Sequence, residues 1–510
     1  MNYIGIKYLT IFLALPFLCF GQKHDYIWML GYNSNATSEY PGVEGIKVNF
    51  NILPPSFDYE VTNMNILSSN ATISDSLGNF LFYTNGCFIA GAGHELMENG
   101  DNLNPGEVHD IQCEYGYTAG TQSCLILPNP GNSFQYYLLH KHIIYEYEPE
   151  FDVVTDILYY SLIDMSLNGG KGSIIQKNVP LIQERLTYGQ LTAVKHANGK
   201  DWWVVTAADH SNKYYKLLLT DLGINYFGTQ EIGTESSQSG SGGGQAVFSA
   251  DGAKFARYSA PDGVFMFNFD RQTGILSEFN LLPVEGESVG SGVAVSPDSR
   301  YLYVSTKDTL FQFDLEAEDI FSSGEIVGIY DGFQSPFPTT FHNAQLAPDC
   351  KIYINSFSTV DVLHVIHNPD EPGLACNFEQ HAVQLPFNEG RSLPHFPNYR
   401  LGPLVEGETP PPPCEPVVST EEEALPIRQK AYVFPNPAPG YFKVVFEQAL
   451  RRPGRVVLYN GLGQVALEEV LEAGSREFRL EVGGMPPGLY FYSVFLGGEV
   501  VKGGKLVVSR

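Results

Sequence analysis

The side chains that could do chemistry in this chain are few and scattered. Twelve histidines occur in 510 residues. No Ser-His-Asp order, G-x-S-x-G elbow or zinc-type Cys/His pair marks an active centre. His140 and His142 end one β-rich run, His196 lies in KHANGKDWW beside a turn, and His342-Asn343 directly precedes another run. A histidine so placed more often steadies a hairpin than transfers a proton. The stretch MENGDNLNPGEVHD from Met97 offers oxygen ligands of the kind calcium takes. It lacks the Asp-x-Asp-x-Asp-Gly spacing, so it reads as a long connection and no cofactor or metal is expected. SGSGGGQ from Ser239 has no GK[ST] and leads into a strand, which excludes a phosphate loop.

What must position these residues is a β-rich scaffold. The chain is 43% hydrophobic and 13% aromatic, with 51 glycines and 30 tyrosines. Charged residues are only 17%, yet the formal net charge is −27. That balance repels phosphate backbones, so nucleic acid is not an expected partner. The N-terminus MNYIGIKYLTIFLALPFLCFGQ reads as a secretory signal: Lys7, an apolar run, and small residues Cys19 and Gly21 at −3 and −1. Cleavage is expected between Gly21 and Gln22. Nothing later is apolar for long enough to span a membrane. Six cysteines then remain in an exported chain, which suggests disulfides.

Six segments repeat one pattern of alternating run, tight turn and second run. They begin at Ala71, Ser123, Gln190, Gln245, Gly292 and Asn343, and their turns include SLGN, NGK, ADG, PDS and PDC. Asn-Gly and Asp-Gly between alternating apolar residues are strong hairpin signals. A second hairpin succeeds the middle ones, as in FMFNFDRQTGIL from Phe265. Each unit therefore supplies four antiparallel strands, A to D, which is one propeller blade. The two ends supply one more blade: DYIWMLGYN from Asp25 reads as strand B and LPHFPNYRL from Leu393 as its strand A. Seven blades over residues 22–402 are expected, with six or eight as alternatives.

LFYTNG, VKHANGKDWW, FSADG, APDCKIYI and LPHFPNYRL together resemble an uncharacterised family of exported propellers in Gram-negative bacteria. The family carries no activity over to this chain.

Residues 403–430 change character: TPPPPCEP is stiff and STEEE acidic, which reads as a linker. Short β runs fill 431–510. There FPNPA, VVLYNGLGQ, MPPGLYFYSV and KLVV stand in order. This resembles the type A C-terminal sorting domain of the type IX secretion system, an Ig-like β-sandwich. The resemblance implies roles in sorting for Pro435, Asn436, Pro437, Gly461, Gly463, Gly488, Tyr490 and Lys505. It implies the type IX machinery and a sortase-like peptidase as partners, and a destination outside the cell or on its outer surface.

The functional expectation is a binding or adhesion module for a glycan or protein; the alternative is a hydrolase, lyase or lactonase working in the central channel. The A–B and C–D turns share one face and the long D–A connections the other, so contacts are expected on the second face near His109, Gln190, Gln245 and His342. Cys350 and Cys376, at turns of one blade and one face, are expected to bond. Cys87 is expected to pair with Cys113 or Cys124.

Overall fold

A computed structural model describes residues 22–34, 42–116, 120–148, 151–237, 244–284, 286, 291–405, 407, 410, 413–414, 431–446, 449–450, 453–460, 464–496 and 499–509. The signal segment up to Gly21, most of SGSGGGQ, and sorting residues Gly461 and Gly463 lie outside them. Two compact units emerge, divided between Val417 and Val418.

The first unit is a seven-bladed β-propeller. Blade one has strands Ile27–Gly31, Gly45–Asn49 and Ser56–Glu60; blade two has Ala71–Ser74, Phe80–Thr84 and Ile89–Gly91. Blade three is Cys124–Asn129, Asn132–Glu146, Asp152–Asp164 and Ser173–Ile182; blade four is Thr192–Lys195, Trp202–Ala207, Lys213–Thr220 and Gly223–Glu231. Blade five runs Ala246–Phe248, Lys254–Ser259, Gly263–Asp270 and Ile275–Leu282; blade six runs Ser291–Val295, Tyr301–Thr306, Thr309–Asp314 and Glu325–Ile329. Blade seven is Ala344–Leu346, Ile352–Ile354, Val360–Ile366 and Phe378–Glu389. Every neighbouring pair is antiparallel, in chain order.

The A–B turns show why those tetrapeptides recur. In blades four to seven one position of the turn takes a left-handed backbone: Gly199 (φ 72°), Gly252 (φ 74°), Ser299 (φ 69°) and Cys350 (φ 62°). Glycine adopts it freely. At Gly252 a Cβ would also sit 2.7 Å from Val194, so the turn must stay small to nest against blade four. Between blades the core is aliphatic and aromatic, with Trp28, Trp202, Trp203, Tyr214 and Tyr303 almost wholly buried.

Closure differs from the strand pairing expected of Leu393–Leu401. That segment occupies the place of strand A beside Ile27–Gly31 but forms no ladder. Pro394 and Pro397 lack the N–H that a ladder needs. One backbone bridge, Asn388 N–H to the Gly42 carbonyl at 2.8 Å, and a set of side chains close the ring instead. Phe396 lies 5.9 Å from Trp28 and Tyr399 5.2 Å from His24, ring to ring. The Arg400 guanidinium donates to both Asp25 carboxylate oxygens at 2.7 and 2.5 Å, and to the Gln22 carbonyl at 3.0 Å. On the other side Tyr353 of blade seven packs against Trp28, Phe50 and Phe57 of blade one.

Cys87 bonds Cys113, one of its two expected partners. Cys350 bonds Cys414 rather than Cys376, which is a buried free thiol. The chain after the ring explains the difference. Leu404 N–H donates to the Ala197 carbonyl and Arg400 Nε to the Pro413 carbonyl, which brings Cys414 over the PDC turn. The stretch read as a linker is thus held to the propeller as far as Cys414.

The second unit is a β-sandwich. A sheet of Ala431–Phe434, Tyr441–Phe446 and Glu477–Glu481 faces one of Val465–Leu471, Gly454–Tyr459, Gly488–Leu496 and Glu499–Val508. Phe442, Val444, Val456, Leu458, Val494 and Leu506 fill the space between them. Asn436 explains the opening motif: its amide nitrogen donates to the Lys505 carbonyl (2.8 Å), and its oxygen accepts from Val507 N–H (2.9 Å). With prolines on both sides unable to donate, that one side chain docks the entering segment onto the last strand. Tyr490 donates to the Pro486 carbonyl at 2.9 Å, holding the MPPG turn.

Candidate functional site

Among the described residues, polar side chains stand just before the innermost strands of blades two, three, four, five and seven, around the mouth of the channel. Three of them are glutamines, and each stitches blades together. Gln122 donates from its amide to the Ala246 carbonyl (2.9 Å) and accepts from Ala246 N–H (2.7 Å), two blades away. Gln190 donates to the Tyr258 carbonyl (2.6 Å), and the Gln245 oxygen accepts from Val293 (3.2 Å) and Ala344 (2.8 Å). An amide that both donates and accepts is suited to such latches. His395, from the closing segment, reaches Gln122 at 2.8 Å and Thr192 at 3.0 Å. Burial lowers its pKa to about 3, so it bridges as a neutral ring. Towards the A–B turns, Phe396, Asn398 and Arg400 line a cavity of about 60 Å³. That holds only a few water molecules.

Two of the propeller's buried cations lie beside these connections. Lys141 donates its ammonium to the Thr187 and Gly189 carbonyls at 2.6 and 2.5 Å, and burial lowers its pKa to about 7. Arg257 lies over the Phe265 ring at 4.5 Å and reaches the Gln190 oxygen at 3.4 Å. Both brace connections before strand A.

One polar cluster is less completely paired. Beside blade seven, Asn355 N–H donates to the Asn343 carbonyl (3.1 Å) and Asn343 N–H to the Asn355 side-chain oxygen (3.0 Å), Asn355 reaches the Glu389 carboxyl at 3.5 Å, and Arg391 N–H donates to Glu389 at 2.8 Å. His342 packs on Phe357 at 4.9 Å, with Arg391 over the same ring at 5.2 Å. His342 Nδ1, both amide atoms of Asn343, and one oxygen each of Ser356, Glu389 and Ser392 have no protein partner, and all are buried. Burial pushes the Glu389 acid up to about 8, while burial and then the Arg391 charge lower His342 to about 3. Both groups are therefore neutral at neutral pH, and the cluster can donate and accept hydrogen bonds without carrying charge.

Of the four positions read from sequence as ligand contacts, Gln190, Gln245 and His342 are buried within the ring. Their expected solvent-facing contact gives way to inter-blade packing. His109 is partly exposed, on the short helix Glu107–Gln112, with its Nδ1 3.3 Å from Asp110. The surface around it is not one that sequence reasoning found. Strands Asn132–Glu146 and Asp152–Asp164 run on past their blade and bring Tyr145, Tyr147 and Phe151 together, with ring centroids 5.5 to 6.3 Å apart. Gln112 donates to the Tyr145 hydroxyl (2.7 Å) and Tyr147 to Glu107 (2.8 Å), fixing helix to hairpin. The Cys87–Cys113 bond anchors the helix end. Unusual length in a B–C hairpin was the available signal.

The other histidines are structural. His140 is buried between Asn104 (2.7 Å) and Ser161 (3.0 Å), His142 pairs with Asp156 at 2.6 Å, and His196 packs 5.8 Å from Trp203. In the Met97 loop, Asp101 pairs with Lys177 and Asn104 donates to the Gly86 carbonyl. Among the described residues no group of three or more His, Cys, Asp or Glu side chains is arranged to hold a metal ion. Nor is any described helix long and apolar enough to cross a membrane.

Comparison with known proteins falls into two parts. Residues 432–509 match the family described as the Secretion system C-terminal sorting domain. The chain thus carries a sorting tail, and the protein is exported to the outer cell surface or secreted. No curated protein matches the sequence. Among solved structures, a provisionally assigned 6-phosphogluconolactonase from Bacteroides uniformis is 12% identical, with a TM-score of 0.44, over 72% of this chain and 98% of that one. One from Bacteroides fragilis is 12% identical with a TM-score of 0.41, over 73% and 98%. The structure named Dos1 propeller is 10% identical with a TM-score of 0.32, over 66% and 90%.

Proposed function

We propose that the exported propeller is a binding module whose glycan or protein ligand docks on the face of the D–A connections. The observation that carries this reading is the exposed aromatic surface around His109. Tyr147 and Phe151 are 58% and 64% exposed there, on a hairpin that side-chain hydrogen bonds hold to the disulfide-anchored helix, and Tyr115, just past that helix, is 65% exposed. Rigid, exposed aromatic rings are what recognition surfaces are enriched in. The sorting tail delivers such a surface to the outside, and type IX machinery with its sortase-like peptidase is the partner that reads the tail.

A second reading, a hydrolase, lyase or lactonase, draws on Glu389. A buried carboxyl raised to about 8 beside Asn355 is the kind of group that active sites use as an acid. It fits less well, because that carboxyl is fully buried.

The test is an array of glycans and peptides probed with the purified protein and with a His109→Ala/Tyr147→Ala/Phe151→Ala variant. Spots lost in the variant, with folding intact, support the reading. Spots lost only on substitution of Asp251 or Asp298, in the A–B turns, refute it.

A further inference from the structure

A cleft of about 360 Å³ opens between blades five and six, away from the channel and from the His109 surface. Strand alternation builds its blade-five wall. Lys254 stands opposite Asn268, and Met266 opposite Asn280. Between those two pairs the last strand of the blade carries one extra residue, and Glu278 there takes φ 50°. A bulge of this kind re-aims a side chain out of the regular alternation. Here it turns the Glu278 carboxylate to accept from the Asn268 amide at 2.7 Å, while the Lys254 ammonium lies 3.4 Å from the Asn268 oxygen. The result is a row of ammonium, amide and carboxylate across three strands, with a second amide, Asn280, at its edge. Buried Met266 and Leu315, with half-buried Ile320 of blade six, complete the lining.

We propose that this cleft binds one pyranose unit of a neutral glycan. The volume lies at the small end of ligand sites, and an apolar floor with a few convergent polar groups is their usual make-up. Lys254 and Glu278 cancel in charge. An anionic sugar would meet the carboxylate and an amino sugar the ammonium, so a neutral ring is favoured. Its hydroxyls would find donors in Lys254 and the two amides and an acceptor in Glu278; its C–H face would cover Met266, Leu315 and Ile320. Bulges recur at the same place in blades four and six, so the bulge belongs to the architecture. What is particular to blade five is the row of polar side chains. The proposal does not depend on the His109 surface.

The experiment is saturation-transfer NMR on the full chain with methyl glucoside, galactoside and mannoside, and with glucuronate and glucosamine as charged counterparts. At least one neutral glycoside should receive transfer, and the charged sugars should not. Asn268→Ala should weaken that binding by about tenfold, the effect of losing one or two hydrogen bonds. Asn280→Trp, which fills the cleft from an exposed position, should abolish it at an unchanged melting temperature. If Asn268→Ala fails to fold, Asn280→Trp alone decides. His109→Ala should leave the signal untouched, which separates this site from the loop face. No transfer from any neutral glycoside, transfer that survives Asn280→Trp, or preference for a charged sugar would overturn the proposal.

Discussion

Replacing Arg400 by Met should destabilise the propeller strongly. Arg400 and Asp25 are a buried pair, with side chains 14% and 5% exposed. The guanidinium also holds the Gln22 and Pro413 carbonyls, so it ties the start of the ring to the chain beyond its end. Removing one member of a buried pair leaves the other charge stranded, which costs about 3–5 kcal/mol. Unfolding entropy of about 2.1 cal/mol/K per residue gives roughly 0.8 kcal/mol/K for a unit of this size, so the melting temperature should fall by about 4–6 °C. Asp25→Leu combined with Arg400→Met removes both charges and should recover most of that loss. The exposed pair Lys171–Glu95 of the propeller serves as control, since breaking it should cost less than about 1 kcal/mol. Circular dichroism melts of the four proteins measure this. If Arg400→Met melts with the wild type, side-chain closure is the wrong account of how the ring is held.

Three further outcomes are expected. Non-reducing peptide mapping should recover Cys87–Cys113 and Cys350–Cys414, with Cys124 and Cys376 alkylated; a Cys350–Cys376 peptide would contradict the packing of the chain after the ring. Glu389→Gln should stabilise the protein more at pH 8 than at pH 5. An acid raised on folding binds more protons when folded, so its cost grows as pH rises from the ordinary carboxylate range towards about 8, and an equal effect at both pH values would refute its burial. Truncation before Ala431 should leave folded propeller in the periplasm, and fractionation that finds it outside the cell would show that the tail is not the address.

How much is legible in the sequence depends on the kind of signal. Turn chemistry is local, so NGK, ADG, PDS and PDC mark the A–B hairpins and lead to the count of seven. LPHFPNYRL is legible as the segment beside Ile27–Gly31, but its two prolines weigh against the ladder that its length suggests. The Cys350 pairing is not legible, because spacing cannot show where a proline-rich tail turns back. Gln190, Gln245 and His342 are legible as ring-facing positions. Whether such a position meets solvent or a neighbouring blade depends on contacts distant in sequence, such as that of Gln122 with His395, 273 residues apart. The cleft between blades five and six is invisible in the sequence, since its residues meet across strands and across blades.

Hydrogen–deuterium exchange of the purified propeller, with and without the strongest array glycan or peptide, tests the central claim most directly. The account predicts protection in 97–116, in 144–148 and on the adjoining strand after Phe151, with the array molecule recovered intact. Protection confined to the A–B turns at 196–200, 249–253, 296–300 and 347–351, or recovery of a cleaved product, would contradict it.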